Sequence, residues 1–523
     1  MKSMKILQKL LAGCLLATVT FSALPAAEPL TLVQAAPVKE QALPLGEPTL
    51  GETRNKKEIA PGLAHISIDR GYSSETDVFI IDVAFYKTRE EADEVKNELN
   101  AQGYESRVKK ISERPPGDPE QGPLGYLVRV GSFQSESDAN KLRDDLKKMG
   151  YEKARVVFSA EDGGKTTGPW VVNILEIDPE KFTGKIIPEL GTGIVPGKEK
   201  LTALTVRTGA LAAINGGYFV VGPSDGTEGD LAGVSMIGGK LISEAVNGRT
   251  SLVLTGKRAR IASVETQLTV KASDGAKREL DGLNRKPGLI RGCGGIGDTF
   301  DFPKHDFTCT DSGELIQFTS VFGSNTEPGD GLEVVLNSAG KVTEVRNSRG
   351  GPIPSEGSVL AGTGDVSEWL LAHGKKGTKI KVNTKILADE QPLNGQKTGI
   401  VNGGPRLLRD GKEDITAVSE GFHWSDNPEF YYRFGERRNP RTLAGVTEDG
   451  KILLVTVDGR QPHYSVGASF KESARIMKAL GAVDAVNLDG GGSTAMTIGS
   501  DIVNRPSDPA GERAIGDAII VLP

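Results

Sequence analysis

The segment Asn487–Thr494 carries the residues of this chain that are best suited to chemistry. It reads Asn-Leu-Asp-Gly-Gly-Gly-Ser-Thr and follows an apolar run, so the carboxylate of Asp489 is expected at the end of a strand. Three consecutive glycines allow backbone N–H groups to approach an anion closely, and two hydroxyls follow them. The pattern predicts a loop that binds a phosphate or a sugar, and a tight structural turn is the alternative.

Two neighbouring blocks add charged side chains at the ends of other apolar runs. Arg437–Arg460 contains Arg441 and the pair Asp458-Gly459, and Val503–Ala518 contains Glu512-Arg513. Paired guanidinium N–H groups bind phosphate oxygens well, and two carboxylates are the usual equipment for breaking a glycosidic bond. The alternatives are a hairpin turn at Asp458-Gly459, a structural salt bridge for Arg441, and a simple ion pair between Glu512 and Arg513.

Two further blocks, Ala212–Phe219 and Val401–Leu408, each contain an Asn-Gly-Gly triplet. In their order along the chain, the five blocks resemble the phosphodiester glycosidase family over much of residues 200–523. The resemblance implies hydrolysis of a sugar-1-phosphodiester, although Asp458 and the Asn-Gly-Gly triplets also fit structural turns and Arg441 also fits a structural salt bridge. It assigns catalytic roles to Asp489, Asp458 and Glu512, and substrate binding to Asn215, Asn402, Arg441, Thr442, Asn487, Gly490, Gly491, Gly492, Ser493, Thr494 and Arg513.

No cofactor is required for this chemistry. The side-chain oxygens of Asp489, Asp458 and the asparagines are suitable ligands for calcium or magnesium, so a site for one of these ions is an alternative. Five scattered histidines argue against a histidine metal site or a catalytic triad.

The elements that position these residues predict an α+β fold. Short strands separated by Gly, Pro and Asn turns alternate irregularly with a few helices, such as Phe470–Leu480, whose apolar residues follow a helical period. Val483–Leu488 then reads as a buried strand. The family resemblance implies a mixed sheet with helices packed on it.

A separate region contains a duplication. A shift of 47 residues superposes Val83 on Val130 and Gly103-Tyr104 on Gly150-Tyr151, and each copy reads as a strand, a helix and a strand. The duplicated unit, residues 77–159, resembles the SPOR domain, which implies binding to peptidoglycan glycan strands stripped of peptides. A purely structural β-α-β pair is the alternative. Candidate glycan contacts on the sheet face expected to be exposed are Tyr86, Arg129, Phe133 and Gln134.

Composition and termini indicate an exported protein. Lysines followed by the apolar run Leu10–Leu24 and small residues predict a signal peptide over 1–36, and Leu11–Cys14 also spells a lipobox, which we do not favour. No later segment is apolar enough to span a bilayer, and a net charge of −6 argues against nucleic-acid binding. Cys293 and Cys309 are expected to form a disulfide, with free thiols as the alternative; a zinc site is less favoured.

The predicted organisation is a linker over 37–58, a first glycosidase strand within 59–76, the SPOR-like module over 77–159, and the glycosidase domain over 160–523. The module is expected to be inserted between the first and second strands of that domain. The predicted function is a secreted or cell-wall hydrolase of a sugar-phosphate polymer. A non-catalytic polysaccharide-binding protein of the envelope or spore is the alternative.

Overall fold

The structure is a computed structural model that describes residues 42–523 except 247, 294–303, 394 and 396. The predicted signal peptide and Cys14 therefore lie outside the described residues. Within the described ranges, no helix is long and apolar enough to cross a membrane.

The chain enters the fold through two antiparallel strands, β1 (Glu52–Ala60) and β2 (Leu63–Arg70). Leu43 and Leu45 ahead of them are buried, and the buried guanidinium of Arg70 donates to the carbonyls of Leu45 and Glu47. The predicted linker is therefore wrong over its described part, because apolar side chains and the Arg70 donors fix this segment.

The duplicated unit folds as two β-α-β copies, as predicted. Its elements are β3 (Phe79–Tyr86), α1 (Arg89–Ala101), β4 (Ser106–Ile111), β5 (Gly125–Phe133), α2 (Glu136–Lys148) and β6 (Arg155–Phe158), and the sheet order is β4-β5-β3-β6. Thr88 and Glu91 form a capping box at the start of α1. Gly103 and Gly150 follow the two helices with φ of +89° and +102°, the conformation that a helix end needs. Both helices pack on one face of the sheet through alanines and leucines.

The other face of this sheet packs against the later chain. Arg129 is 4% exposed, and its guanidinium donates to Asp82, to Asp162 and to the Tyr432 hydroxyl. The prediction of Arg129 as a glycan contact is therefore wrong, because the face that carries it is occupied. Tyr86 and Phe133 are partly buried in apolar clusters, whereas Gln134 is exposed.

The remaining elements alternate as the sequence predicts. The strands are β7 (Trp170–Ile177), β8 (Lys185–Leu190), β9 (Glu199–Lys200), β10 (Ala212–Asn215), β11 (Ser235–Ile237), β12 (Lys240–Ser243), β13 (Arg249–Thr255), β14 (Arg258–Ala272), β15 (Lys277–Glu279), β16 (Gly282–Leu283), β17 (Leu289–Cys293), β18 (His305–Thr310), β19 (Leu315–Phe318), β20 (Leu332–Asn337), β21 (Val342–Arg346), β22 (Gly357–Gly362), β23 (Ile380–Ala388), β24 (Gln391–Pro392), β25 (Thr398–Asn402), β26 (Arg406–Arg409), β27 (Lys412–Glu413), β28 (Arg441–Thr447), β29 (Ile452–Val457), β30 (Ala482–Asn487), β31 (Met496–Ile498), β32 (Asp501–Ile502), β33 (Ala514–Ile515) and β34 (Asp517–Leu522). The helices are α3 (Leu201–Thr208), α4 (Val366–His373), α5 (Pro428–Tyr431), which continues as a π-helical turn over Tyr432–Glu436, and α6 (Phe470–Ala479); short 3₁₀ turns cover Ser159–Glu161, Gly191–Gly193, Ser320–Phe322 and Gly491–Ser493.

The strands form antiparallel sheets, and among the described strand pairs only β16 and β19 run parallel. The prediction of a mixed sheet is therefore wrong in detail, because strands joined by short turns, such as β13 and β14, pair as antiparallel neighbours. Two sheets in the described ranges have eight strands each, and the one that contains β7 has the order β1-β2-β7-β29-β28-β30-β26-β27. β2 pairs along its length with β7, although the duplicated unit separates these two strands in the chain.

A five-stranded sheet of order β32-β31-β10-β34-β8 packs on the eight-stranded sheet that contains β7, β29 and β30. Apolar side chains of β10, β34, β30 and β29 share one core cluster, while α6 covers another face through Phe470, Ile476 and Met477. β10 and β30 finish, and β34 and β28 begin, at the positions where Asn215 pairs with Ala518 and Leu443 pairs with Asn487. The predicted site residues therefore meet at one edge.

Candidate active site

The Gly-rich loop follows β30 and packs too closely against its neighbours for larger residues. A Cβ on Gly490 would lie 2.7 Å from the Pro440 carbonyl oxygen, and Gly491 has φ +59°. A Cβ on Gly492 would collide with the guanidinium of Arg513. The triplet thus brings arginine side chains over the loop, where an anion could be held between them and the backbone.

Asp489 presents a partly exposed carboxyl at the start of this loop. Burial raises its pKa to about 6, and the Ser493 hydroxyl and the Arg513 guanidinium offset part of that effect. Its backbone is fixed on both sides, because its carbonyl accepts from Asn215 Nδ2 at 2.7 Å and its N–H donates to the Gly216 carbonyl at 3.3 Å. Asp489 can therefore change protonation state near neutral pH while its position stays constant.

Three predicted ligand contacts turn out to position the loop. Asn215 Oδ1 accepts from Thr442 Oγ1 at 2.7 Å and from the Ala495 N–H at 3.1 Å, and Thr442 Oγ1 lies 3.4 Å from Thr494 Oγ1. All three predicted side chains are 1% exposed or less. The predicted substrate contacts of Asn215, Thr442 and Thr494 are not found in this structure, because the polar atoms of these side chains form hydrogen bonds within the protein.

Asn402 and Asn487 join the site's turns through Tyr218. The Asn402 side-chain amide accepts from the Tyr218 N–H at 2.8 Å and donates to its carbonyl at 3.3 Å. Asn487 Nδ2 donates to the Tyr218 hydroxyl, which donates in turn to the Gly404 carbonyl, both at 2.7 Å. Both asparagines are 1% exposed, so they too hold the framework together.

Asp458 is also a framework residue. It is 1% exposed, and its carboxylate accepts from Asn504 Nδ2 at 2.9 Å, from the Arg505 N–H at 2.9 Å and from the Tyr464 hydroxyl at 3.2 Å. Burial raises its pKa to about 6 and these donors lower it. The structure thus places the second predicted catalytic carboxylate behind the site, where it ties the Arg505 segment to β29.

The two arginines predicted to bind phosphate, Arg441 and Arg513, differ in their exposure. Arg441 is 1% exposed, donates to the carbonyls of Ala468 and Phe434 and stacks on Phe470, so little of it can meet a ligand. Burial lowers its pKa to about 10. Arg513 is partly exposed and pairs with Asp508 at 2.8 Å beside Gly492. Arg513 is therefore the predicted arginine that a substrate phosphate can reach.

Glu512 faces away from the loop. Its carboxylate accepts from the Thr202 N–H at 2.8 Å and from Thr202 Oγ1 at 2.7 Å, at the first turn of α3. The structure shows neither the catalytic role predicted for Glu512 nor its ion pair with Arg513, because donors of Thr202 at the start of a helix bind this carboxylate.

Asp517 is a site residue that the sequence reasoning did not select. Its Oδ1 accepts from the Gly217 N–H at 2.8 Å, and within the described chain its Oδ2 has no hydrogen-bond partner. It is 1% exposed, and burial together with the charge of Asp489 raises its pKa to about 7. The sequence does offer a signal for this residue: Asp517 follows Gly516 at the start of the last strand, β34, and lies within the block Val503–Ala518.

The disulfide between Cys293 and Cys309 is present and joins β17 to β18. Among the described residues, Cys293, His305 and Cys309 form the one cluster of three with metal-ligand spacing, and the disulfide occupies both sulfurs. Asp489 and Asp458 belong to no such cluster in the described ranges, so a calcium or magnesium site stays a prediction without a ligand set that fits it.

Comparisons with known proteins agree with this architecture. The family model "Phosphodiester glycosidase" matches residues 330–522, which include four of the five blocks, and the SPOR domain model matches 75–156 and 122–167. A solved exported protein of Burkholderia pseudomallei is 32% identical with a TM-score of 0.85, over 92% of this chain and 98% of that one. A hypothetical protein from Synechocystis is 17% identical with a TM-score of 0.53 over 90% and 79%, which supports the fold alone.

Among curated proteins, N-acetylglucosamine-1-phosphodiester alpha-N-acetylglucosaminidase of Mus musculus is 25% identical over 162 residues, which are 30% of each chain. The match thus spans less than a third of that enzyme. The chain thus contains a region, residues 330–522, that matches the phosphodiester glycosidase family and is distantly homologous to that enzyme, and it carries a SPOR domain.

Proposed function

We propose that this protein is an exported hydrolase that cleaves a sugar-1-phosphodiester bond in a cell-wall polymer. The observation that carries the proposal is the Asp489 carboxyl, which is partly exposed in a glycine loop beside the Arg513 guanidinium. A carboxylate and a nearby cation suit the two demands of this reaction. One stabilises positive charge at the sugar C1 atom, and the other stabilises the phosphate that leaves.

In this mechanism the bond between C1 and the phosphodiester oxygen breaks, and water supplies the hydroxyl that replaces it. Arg513 and the loop amides bind the departing phosphate monoester, whose low basicity reduces the need for a strong general acid. Asp489 acts in its ionised form, either on C1 or on the attacking water. Asp517 lies behind the Gly216-Gly217 turn, where its Oδ1 accepts from the Gly217 N–H, so it acts as a positioning residue for that turn.

The duplicated unit is proposed as an insertion in the glycosidase domain that attaches the enzyme to peptidoglycan. Pairing of β2 with β7 across the unit supports the insertion, and it places both β1 and β2 before the inserted unit. The SPOR match supports attachment to glycan strands. Since the sheet face with Arg129 is covered, such strands must contact another surface of the unit.

Two assays of the full mature chain test the proposal. Release of sugar from an α-N-acetylglucosamine-1-phosphodiester, but not from the same sugar in an uncharged glycoside, is expected. The chain should also pellet with peptidoglycan sacculi, and more so after an amidase has removed the peptides. Pelleting without turnover on any phosphodiester would favour the non-catalytic binding protein.

A further inference from the structure

A cleft of about 820 Å³ separates the duplicated unit from the glycosidase domain. One wall is strand β6 with Lys153 and Arg155, and the other is the helical segment that runs from α5 into the π-helical turn. Clefts that hold ligands measure roughly 300–1,000 Å³, and π-helical turns are frequent at functional sites. This space is therefore large enough for several units of a polymer.

The cleft is basic in a protein whose net charge is −6. Six cationic side chains and only three carboxylates line it. The Arg155 side chain is exposed and, within the described chain, makes no hydrogen bond and no ion pair. Arg433 pairs with Glu429 through Nε and Nη2, whereas its Nη1 is buried without a hydrogen-bond partner among described atoms and lies 4.0 Å from Asp82 Oδ2. Donors left open in this way are suited to an anion.

Arg460 connects the cleft to the active site. It lines the cleft, and a Cβ on Gly491 of the glycine loop would lie 3.2 Å from its Nη1. Its guanidinium bonds only to Asn439 Oδ1 in the described ranges, and its backbone has φ +55°, a region that residues other than glycine rarely adopt. Such strain is found at functional sites. Phe430 and Phe434 also line the cleft, and their rings stack on each other with centroids 5.5 Å apart.

From this geometry we infer that the cleft binds the chain of an anionic polymer with phosphodiester repeats and leads one of its units to Asp489. The inference rests on the proposed function and extends it, since it makes the duplicated unit part of the substrate site as well as an attachment module. Guanidinium groups along the cleft bind successive phosphates, and Arg460 binds the phosphate next to the glycine loop.

The test compares binding and turnover for the full chain. A short poly(glycerol phosphate) is the binding probe, and a monomeric α-N-acetylglucosamine-1-phosphodiester is the turnover substrate. Arg155→Gln and Arg460→Gln should each weaken poly(glycerol phosphate) binding about 10-fold, the scale of one lost charged contact, and added salt should shrink the difference. Arg258→Gln, which removes an exposed arginine outside the cleft, is the matched control and should bind as wild type does.

Arg258→Gln should also leave turnover of the monomeric substrate unchanged, because Arg258 lies outside the cleft lining. Unchanged polymer binding in both folded cleft variants would overturn the inference, as would equal weakening in Arg258→Gln. Weakened binding of uncharged peptidoglycan strands by the same two substitutions would assign the cleft to the wall glycan and also overturn it. Failure of the proposed function looks different: wild type would bind poly(glycerol phosphate) and would not hydrolyse the monomeric sugar-1-phosphodiester.

Discussion

Asp517→Asn probes the buried carboxyl beside Asp489. The substitution keeps an oxygen that can accept from the Gly217 N–H and replaces Oδ2, which has no hydrogen-bond partner in the described structure, with an amide. It removes the ionisable group with almost no change in shape. The cost of one unsatisfied amide donor, about 1–3 kcal/mol, is the same at every pH and cancels when two pH values are compared.

The magnitude follows from the shift in pKa. Burial and Asp489 raise the pKa of Asp517 from 3.8 to about 7. An acid whose pKa is higher in the folded state binds its proton more tightly there, so its contribution to stability is full below pH 4 and is lost as the pH rises to about 7. Each pH unit in that window is worth about 1.4 kcal/mol. Between pH 5 and pH 8 the wild type should therefore lose ~2–3 kcal/mol through this group, and Asp517→Asn should not.

Urea unfolding of both proteins at pH 5 and pH 8 measures this difference. The variant is expected to gain ~2–3 kcal/mol relative to wild type on going to pH 8. Asp458→Asn is the contrasting control, because both oxygens of Asp458 accept hydrogen bonds and an amide there is expected to destabilise at both pH values, and its pKa of about 6 limits the gain at pH 8 to about 1 kcal/mol. A variant whose stability relative to wild type is the same at pH 5 and pH 8 would refute the assignment of Asp517 as a buried carboxyl that is neutral in acid.

Three other outcomes are expected. The kcat/KM for a sugar-1-phosphodiester should rise with pH through about 6, because Asp489 acts when ionised, and a profile flat from pH 5 to pH 7 would contradict this. Cys309→Ser should lower the free energy of unfolding by ~3 kcal/mol, since the disulfide closes a loop with a sequence separation of 16, and unchanged urea unfolding would argue against that constraint. A fragment of residues 160–523 should be insoluble or inactive, because it loses β1 and β2 and leaves β7 as an unpaired edge; a soluble, active fragment would show that both strands are dispensable.

The sequence predicted the elements whose pattern is local. The helix over Phe470–Ala479, the strand that ends at Asn487 and the two β-α-β copies follow from apolar spacing and glycine caps, which depend on nearby residues alone. The meeting of the five blocks at one edge also followed, because each block lies at a strand end.

The direction in which each polar side chain points was not predictable from the sequence. Asp458 and Asp489 both follow apolar strands, yet Asn504 and Tyr464 enclose the first while the second stays partly exposed. These partners are distant in sequence, so only tertiary packing separates a framework carboxylate from an exposed one. The same holds for Arg129, whose burial depends on Tyr432 and Asp162 on the other side of a domain contact.

Turnover by the Asp489→Ala variant tests the central claim most directly. Hydrolysis of an α-N-acetylglucosamine-1-phosphodiester should fall by ~10²-fold or more, the scale on which catalytic carboxylates and preorganised charges act. Asp501→Ala, at an exposed carboxylate on the nearby strand β32, is the control and should retain wild-type turnover. A folded Asp489→Ala protein that hydrolyses the substrate as fast as wild type would contradict the account.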